Sequence, residues 1–199
     1  MRYIERNFGG LPLSVYDFKN IYTKISNDKT IAVDRNYDVL RCISENIYDK
    51  ESRYLLLITK NNFDLELINF LIEEIIQRNN NKNNSFETKF ILGSTFPQDK
   101  DDIYIEKIIG TIRNELTTNN ILVLKNLELI YSSLYDLLNQ DFEKIDNKYY
   151  TRISFGLWKP FSLINRNFKI IVIVNEKNLS YEDPPFLNRF EKHIFSLDT

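Results

Sequence analysis

Apolar residues in this chain occur in two kinds of stretch, and the two kinds alternate. Short continuous apolar runs are typical of strands buried on both faces of a parallel sheet. Five stretches fit such strands, the last of them short: 54–58, 89–92, 121–124, 168–174 and 192–197. Between them, apolar residues recur at helical spacing within 63–76, 105–116 and 127–138. Strands that alternate with helices indicate βαβ units, so the pattern predicts an α/β fold with helices around a mostly parallel, five-stranded sheet.

Two further segments depart from this alternation. Residues 1–50 predict a helical extension, because apolar residues such as Ile43 and Ile47 fall on one helical face. The α/β core is therefore expected at 51–199. Residues 147–166 mix aromatic residues with glycine and proline and predict a β-hairpin inserted before the fourth strand. Its aromatic residues, Trp158 among them, are expected in the core, with contact to a partner as the alternative.

Composition narrows the class of protein. The 199 residues are 43% hydrophobic and 27% charged, which is typical of a folded domain. Twenty-six basic and 28 acidic residues give a net charge of -2, which argues against a nucleic-acid partner. The single cysteine, Cys42, excludes an internal disulfide and a cysteine metal cluster. No apolar run approaches the roughly 20 residues that span a bilayer. We therefore expect a cytoplasmic protein without a membrane span.

In a sheet of this kind, ligands bind beyond the carboxyl ends of the strands. Nucleotide-binding domains place the loop Gly-x-x-x-x-Gly-Lys-Ser/Thr after the first strand, where its backbone N–H groups wrap the phosphates. Here the first strand continues into Thr59-Lys-Asn-Asn-Phe-Asp-Leu-Glu66, which contains no glycine. The third strand ends at Lys125, near the place where such domains hold their Mg²⁺-binding aspartate. The missing glycine-rich loop and the lysine in place of the Mg²⁺-binding aspartate together predict that this domain binds no ATP of its own.

The end of the chain nonetheless resembles the end of an AAA+ ATPase core. Asn175 closes the fourth strand, where a polar residue of AAA+ modules positions the attacking water; an ordinary strand-end residue is the alternative. Arg189 precedes the last strand, where AAA+ rings place an arginine finger that points at the neighbouring subunit's γ-phosphate. Arginine suits that task because it is always charged and offers planar, bidentate donors. A structural ion pair with Glu182, Asp183 or Glu191 is the alternative for Arg189.

Other polar residues are weaker candidates. Lys60 and Glu128 could bind phosphate and metal in an active nucleotide enzyme with an unorthodox loop. Asp101 and the acidic residue that follows it are expected to cap a helix rather than bind metal. His193 is the only histidine, and no Ser or Cys nucleophile motif lies near it, which argues against a catalytic triad.

Five stretches of the core, in order along the chain, resemble the mysterin family of giant RING-finger ubiquitin ligases, which carry a ring of AAA+ modules. The most specific is the run Ser-Leu-Tyr-Asp-x-Leu-Asn-Gln that ends at Gln140, because the AAA+ fold in general does not require those residue types at those positions. The five stretches are 51–56, 93–97, 127–140, 168–176 and 184–193. Residues 1–50 match weakly and could be the end of a preceding AAA+ module.

The resemblance implies a degenerate AAA+ module that follows an active one, within a protein that transfers ubiquitin and hydrolyses ATP. Arg189 would then complete the preceding module's site. No cofactor is expected in this segment: ATP and Mg²⁺ would belong to the neighbouring module, and zinc to the RING of the whole protein. The partners would be adjacent AAA+ modules of the same chain and the ubiquitination machinery. The segment alone is expected to be catalytically inactive. The alternative is a purely structural module of the ring with no catalytic contribution.

Overall fold

The computed structural model describes residues 39–60, 65–79, 86–94, 96, 101–181 and 183–195. Its helices are α1 Val39–Tyr48, α2 Leu65–Asn79, α3 Asp102–Glu115, α4 Glu128–Tyr131, α5 Tyr135–Leu138 and α6 Pro184–Leu187. Its strands are β1 Leu55–Thr59, β2 Thr88–Leu92, β3 Ile121–Lys125, β4 Glu143–Ile145, β5 Lys148–Arg152, β6 Phe161–Ile164, β7 Lys169–Asn175 and β8 Glu191–Phe195. Two 3-10 helices span Ser132–Leu134 and Glu176–Tyr181. Most of the predicted helical extension, residues 1–38, lies outside this description, as does the end of the last predicted strand.

The central sheet has five strands in the order β2-β3-β7-β1-β8, and every neighbouring pair is parallel. All five residues of β1 are buried, and so are the first six of the seven residues of β7. Strands at the centre of a sheet with helices on both faces have no solvent side, which is why these runs are continuously apolar. The predicted α/β fold and its five parallel strands are therefore confirmed.

Helices cover both faces of the sheet and give the domain two cores. Successive strand residues point to opposite faces. Accordingly, Leu56 packs in a cluster with Ile112 of α3, and Leu57 packs in a separate cluster with Ile72 of α2. The first cluster also holds side chains of α4, α5 and α6, and the second holds those of α1. This is the αβα layering that the alternating pattern predicts.

A polar contact ties α1 to the amino edge of the sheet. Glu191 and His193 on β8 are fully buried, and the Nε2 of His193 lies 3.0 Å from a carboxylate oxygen of Glu191. The other oxygen of Glu191 accepts a hydrogen bond of 2.9 Å from the amide of Asn46 in α1. Because a buried carboxylate without partners costs several kcal/mol, these contacts fix where α1 lies. His193 has a structural place here, as the sequence led us to expect of a histidine without a nucleophile motif nearby.

The predicted hairpin is present but larger than expected. It is a three-stranded antiparallel sheet in which β5 pairs with both β4 and β6. The expectation that its aromatic residues lie in the core is wrong for Trp158, which is 64% exposed, and the neighbouring Leu157 is fully exposed. The tip turns at Gly156, whose φ of 57° is accessible to glycine without strain.

The helix predicted at 127–138 is interrupted. The 3-10 turn between α4 and α5 contains two serines, which are weak helix formers because they compete for backbone hydrogen bonds. The carbonyl of Ser133 accepts a hydrogen bond of 2.9 Å from the backbone N–H of Ser154, so the interruption anchors the antiparallel sheet. In the part of the chain that the structure describes, no helix is long and apolar enough to cross a membrane.

Candidate functional site

A cavity of about 480 Å³ lies at the carboxyl edge of the central sheet. The ends of three adjacent strands form it, β1, β7 and β3, together with the residues that follow each strand. The lining residues are Thr59, Lys60, Lys125, Asn126, Glu128, Ile173, Val174, Asn175, Lys177 and Asn178. This is the edge at which parallel sheets bind ligands. The structure therefore brings together Lys60, Glu128 and Asn175, three of the residues that the sequence singled out.

The charge of this cavity is mainly positive. Among the described residues, Lys60, Lys125 and Lys177 line it, and Glu128 supplies the one carboxylate. Within the described ranges, none of these four side chains takes part in a hydrogen bond or in an ion pair within 4.0 Å. Lys125 is half-buried, whereas Lys60, Lys177 and Glu128 are exposed.

A magnesium ion does not suit this set of side chains. Mg²⁺ is held through carboxylates and phosphates, and an ammonium at the end of β3 repels it. Among the described residues, no group of three or more His, Cys, Asp and Glu side chains could hold a metal ion. Asp101 instead caps α3, because its carboxylate accepts a hydrogen bond of 2.8 Å from the N–H of Tyr104. The expectation that it serves a helix is confirmed.

Asn175 lines the cavity but has a local role as well. Its Oδ1 accepts a hydrogen bond of 2.9 Å from the backbone N–H of Lys177, which starts the 3-10 helix after β7. An asparagine that bonds to the backbone two residues ahead forms an Asx turn, a common way to end a strand. The predicted sensor position thus stays a prediction, and its side-chain oxygen already has a structural partner.

A close backbone approach fixes the floor of the cavity. The N–H of Gly93 donates to the carbonyl of Lys125 at 2.8 Å, which extends the β2–β3 pairing beyond the strands. A Cβ at Gly93 would lie only 1.6 Å from the carbonyl oxygen of Asn126, whose own φ is 56°. Only glycine permits this approach. The predicted strand 89–92 ends just before Gly93. The contact of Gly93 with Asn126, 33 positions away, could not be predicted from the residues around Gly93.

Arg189 lies at the amino edge of the sheet, opposite the carboxyl edge that holds the cavity. It follows α6 and precedes β8, which runs parallel to β1 with Glu191 level with Leu55. The cavity begins at the other end of β1, at Thr59. At a rise of about 3.3 Å per residue, the four steps along either strand separate the two edges by about 13 Å. Arg189 is therefore far from this chain's own cavity.

The guanidinium of Arg189 is held against an aromatic ring. Its central carbon lies 3.8 Å from the centroid of the Tyr135 ring, and Nη1 donates to the carbonyl of Pro185. The hydroxyl of Tyr135 in turn donates to Asp183 at 2.8 Å. Nε of Arg189 is buried without a hydrogen-bond partner among the described residues. A cation over an aromatic face gains about 0.5–2 kcal/mol, so the ring restricts where this side chain can point.

The ion pairs proposed as the alternative for Arg189 are not formed by the two described partners. Within 4.0 Å, Arg189 pairs with neither Asp183 nor Glu191 in the described part of the chain. Asp183 accepts from Tyr135, and Glu191 is buried with Asn46 and His193. Glu182 lies outside the described residues.

Two cations hold the turn that carries Arg189. Arg53 donates to the carbonyl of Asn188 at 2.7 Å, and Lys192 donates to the carbonyl of Leu187 at 2.8 Å. These carbonyls end α6, where positive charge is favourable. Phe186 of α6 is buried and stacks on Tyr131 with a centroid distance of 4.6 Å. The sequence did not point to these supports: the contacts of Arg53 with Asn188 and of Phe186 with Tyr131 join parts of the chain that are distant in sequence, and Lys192 lies in a strand whose pattern does not show which carbonyl it contacts.

The order of the parallel sheet, the helices on both faces and the cavity at its carboxyl edge define an AAA-type α/β module. The chain belongs to the family described as RNF213 AAA domain, which matches residues 44–199. The resemblance to mysterin-type ligases seen in the sequence is thereby confirmed.

Curated relatives agree with this family. Human E3 ubiquitin-protein ligase RNF213 is 32% identical over 153 residues, which cover 76% of this chain and 3% of the human protein. Zebrafish (Danio rerio) E3 ubiquitin-protein ligase rnf213-beta is 32% identical over 199 residues, or 96% of this chain and 4% of that protein. A Dictyostelium discoideum protein named as an uncharacterized transmembrane protein is 23% identical over 209 residues, 98% of this chain and 3% of its own length. The chain thus spans only a few per cent of the relatives it matches.

Proposed function

We propose that this chain is a degenerate AAA+ module of a mysterin-like ubiquitin ligase, which binds no Mg-ATP itself and supplies Arg189 to the ATP site of the preceding module. The observation that carries the proposal is the position of Arg189. It is oriented by Tyr135 at the edge of the sheet opposite the chain's own cavity. A guanidinium at that place can serve a nucleotide only in another module.

The charge of the cavity supports the first half of the proposal. Lys125 stands at the end of β3, and Glu128 is the only carboxylate among the lining residues that the structure describes. ATP in such modules carries Mg²⁺, which bridges the phosphates and requires an acidic or hydroxyl ligand from the protein. A lysine at that place opposes the metal, so the module would act on ATP only through its neighbour.

The whole protein would combine ATP hydrolysis with ubiquitin transfer. ATP and Mg²⁺ would bind in the neighbouring AAA+ module, and zinc would bind in a RING elsewhere in the protein. The partners of this module would be the adjacent AAA+ modules of the same chain and, through the whole protein, the ubiquitination machinery. The assignment to a ubiquitin ligase rests on the names of relatives of which this chain covers a few per cent, and the assignments of ATP, Mg²⁺ and zinc rest on the resemblance to mysterin-type ligases. We also propose that the protein is cytoplasmic, as the sequence leads us to expect.

A second candidate is a structural module with no catalytic contribution. It is favoured by the engagement of Arg189 within its own chain, through the ring of Tyr135 and the carbonyl of Pro185. In that case Arg189 would stabilise the end of α6. Replacing Arg189 would then lower the stability of the AAA+ ring but not its rate of ATP hydrolysis.

Steady-state ATPase activity of the full-length protein distinguishes the two candidates. Arg189→Ala is expected to lower turnover at the neighbouring site by about 10³-fold or more, while ATP binding there is retained, because an arginine finger acts mainly in the transition state. Arg152→Ala is the matched control, since Arg152 is half-exposed and pairs with Glu143 on the antiparallel sheet, away from α6. Unchanged turnover in Arg189→Ala, with the fold intact, would favour the structural module.

A further inference from the structure

The three lysines of the cavity follow three neighbouring strands. Lys125 ends β3, Lys177 follows β7, and Lys60 follows β1, and β7 lies between the other two strands. Adjacent strands are about 4.8 Å apart. Lys125 is level with Ile173 of β7, whereas Lys60 follows the residue level with Asn175. The outer two lysines are therefore also offset by about 10 Å along the strands and begin about 14 Å from each other. A lysine side chain is long enough for all three ammonium groups to reach one ligand in front of the end of β7.

These ammonium groups are not neutralised within the described part of the chain. No hydrogen bond or ion pair joins them to Glu128 or to another described side chain. Among the described lining residues, three ammonium groups against one carboxylate give the recess excess positive charge, and walls of low dielectric strengthen the resulting field. An anion that enters the recess would gain charge-assisted hydrogen bonds that the protein itself does not supply.

The lining also indicates the kind of anion. Among the described residues of the lining, Ile173 and Val174 are the only apolar ones, and the others are charged or are Thr and Asn. Such a surface suits phosphate oxygens rather than a nucleobase, which is usually bound by apolar and aromatic side chains. Lysines act as compact point charges on phosphate and need no metal to assist them.

We propose that this cavity binds a compact phosphate anion carrying several negative charges, such as a diphosphate, without a divalent cation. The anion would lie in front of the end of β7 and bond to Lys60, Lys125 and Lys177. Asn178 would offer an amide donor. The proposal concerns the carboxyl edge of the sheet and is independent of the role of Arg189 at the opposite edge.

Hydrogen–deuterium exchange of the full-length protein tests this directly, with inorganic pyrophosphate as the probe and EDTA present. Exchange in peptides covering 121–130 and 171–180 is expected to slow as pyrophosphate is added. Lys125→Gln should weaken the apparent affinity at these peptides about tenfold, the loss expected for one charge-assisted hydrogen bond. The double variant Lys60→Gln/Lys125→Gln should abolish the effect. Lys107→Gln, an exposed lysine of α3 outside the cavity, is the control and should not change it.

Three results would overturn the proposal. One is an absence of protection at millimolar pyrophosphate. Another is equal protection in the parent protein and in Lys60→Gln/Lys125→Gln, since the anion would then bind elsewhere. The third is protection that appears only with Mg²⁺ and a nucleoside triphosphate, which would also contradict the proposed lack of ATP binding. The first two leave the ATPase result for Arg189→Ala untouched, so failure of this proposal and failure of the arginine finger are distinguishable.

Discussion

Arg189 and Gly93 show how single residues gain their roles from distant parts of the chain. Arg189 is oriented by Tyr135, 54 positions earlier in the sequence, and Gly93 is required by the carbonyl of Asn126. Neither contact is visible in local spacing. At this scale the sequence identified the candidate residue at 189, and the structure supplies its orientation and its support.

Replacement of Gly93 by alanine is expected to destabilise the fold strongly. The new methyl group would lie 1.6 Å from a backbone oxygen, which cannot move without breaking the β2–β3 pairing. We expect a loss of about 3 kcal/mol or more in the free energy of unfolding, measured by urea denaturation. Gly110→Ala is the matched control: nothing lies within 4 Å of the added methyl group in α3, and alanine should stabilise the helix by about 0.5–1 kcal/mol. Equal effects of the two changes would contradict this account.

Tyr135 is expected to act on catalysis through Arg189. Tyr135→Phe keeps the ring and should retain most of the ATPase activity of the full-length protein. Tyr135→Leu removes the cation–π contact, worth about 0.5–2 kcal/mol, and should lower turnover by about 2- to 30-fold. In an Arg189→Ala background the Leu variant should have no further effect on turnover. A further loss of similar size in that background would show that Tyr135 acts independently of Arg189.

At the scale of elements, the parallel strands could be predicted because burial on both faces leaves a continuous apolar run. Other elements gave no such signal. β4 is exposed along its whole length, and its three residues, Glu-Lys-Ile, carry no alternation. The break between α4 and α5 depends on the contact between Ser133 and Ser154. The cavity lies at the edge of the sheet where the sequence led us to expect a ligand. The sequence did not show that Lys177 lies near Lys60 and Lys125, because that depends on the order of the strands in the sheet.

The junction between α3 and β2 depends on an ion pair that responds to pH. Glu115 accepts hydrogen bonds from Lys89 at 2.7 Å and from Asn120 at 2.9 Å. Burial alone raises the pKa of Glu115, but the bonds from Lys89 and Asn120 outweigh it and hold that pKa below its usual value. A carboxyl with a lowered folded-state pKa adds stability above its unfolded pKa and loses it as the pH falls through the folded value.

Glu115→Gln should therefore cost stability mainly near neutral pH. Because Lys89 is half-exposed, we expect a loss of about 1 kcal/mol in the free energy of unfolding at about pH 7. The difference between the variant and the parent chain should be smaller at about pH 3 than at about pH 7, because the lower pH is below the unfolded-state pKa of a glutamate, about 4.3, and the stabilisation is lost as the pH falls from there through the lower folded-state pKa. Urea denaturation at the two pH values measures it. A difference that stays constant with pH would show that the charge of Glu115 does not contribute.

At the scale of the whole molecule, the two candidate sites lie at opposite edges of the sheet. The carboxyl edge holds a lysine-lined cavity, and the amino edge holds Arg189 on a turn braced by Arg53 and Lys192. In a ring of AAA+ modules, one edge can face its own ligand while the other faces the neighbouring module. Under the proposed function, this arrangement would allow a module whose sequence lacks the phosphate loop to contribute to ATP hydrolysis in its neighbour.

The most direct test of this account is a cryo-electron microscopy structure of the full-length protein with Mg²⁺, ADP and a fluoroaluminate mimic of the γ-phosphate. We predict that the guanidinium of Arg189 lies within about 3 Å of the mimic bound to the preceding module, at hydrogen-bonding distance. The cavity lined by Lys60, Lys125 and Lys177 should contain no Mg-nucleotide. A Mg-nucleotide in that cavity, or an Arg189 that remains on Tyr135 and Pro185 far from any phosphate, would contradict the account.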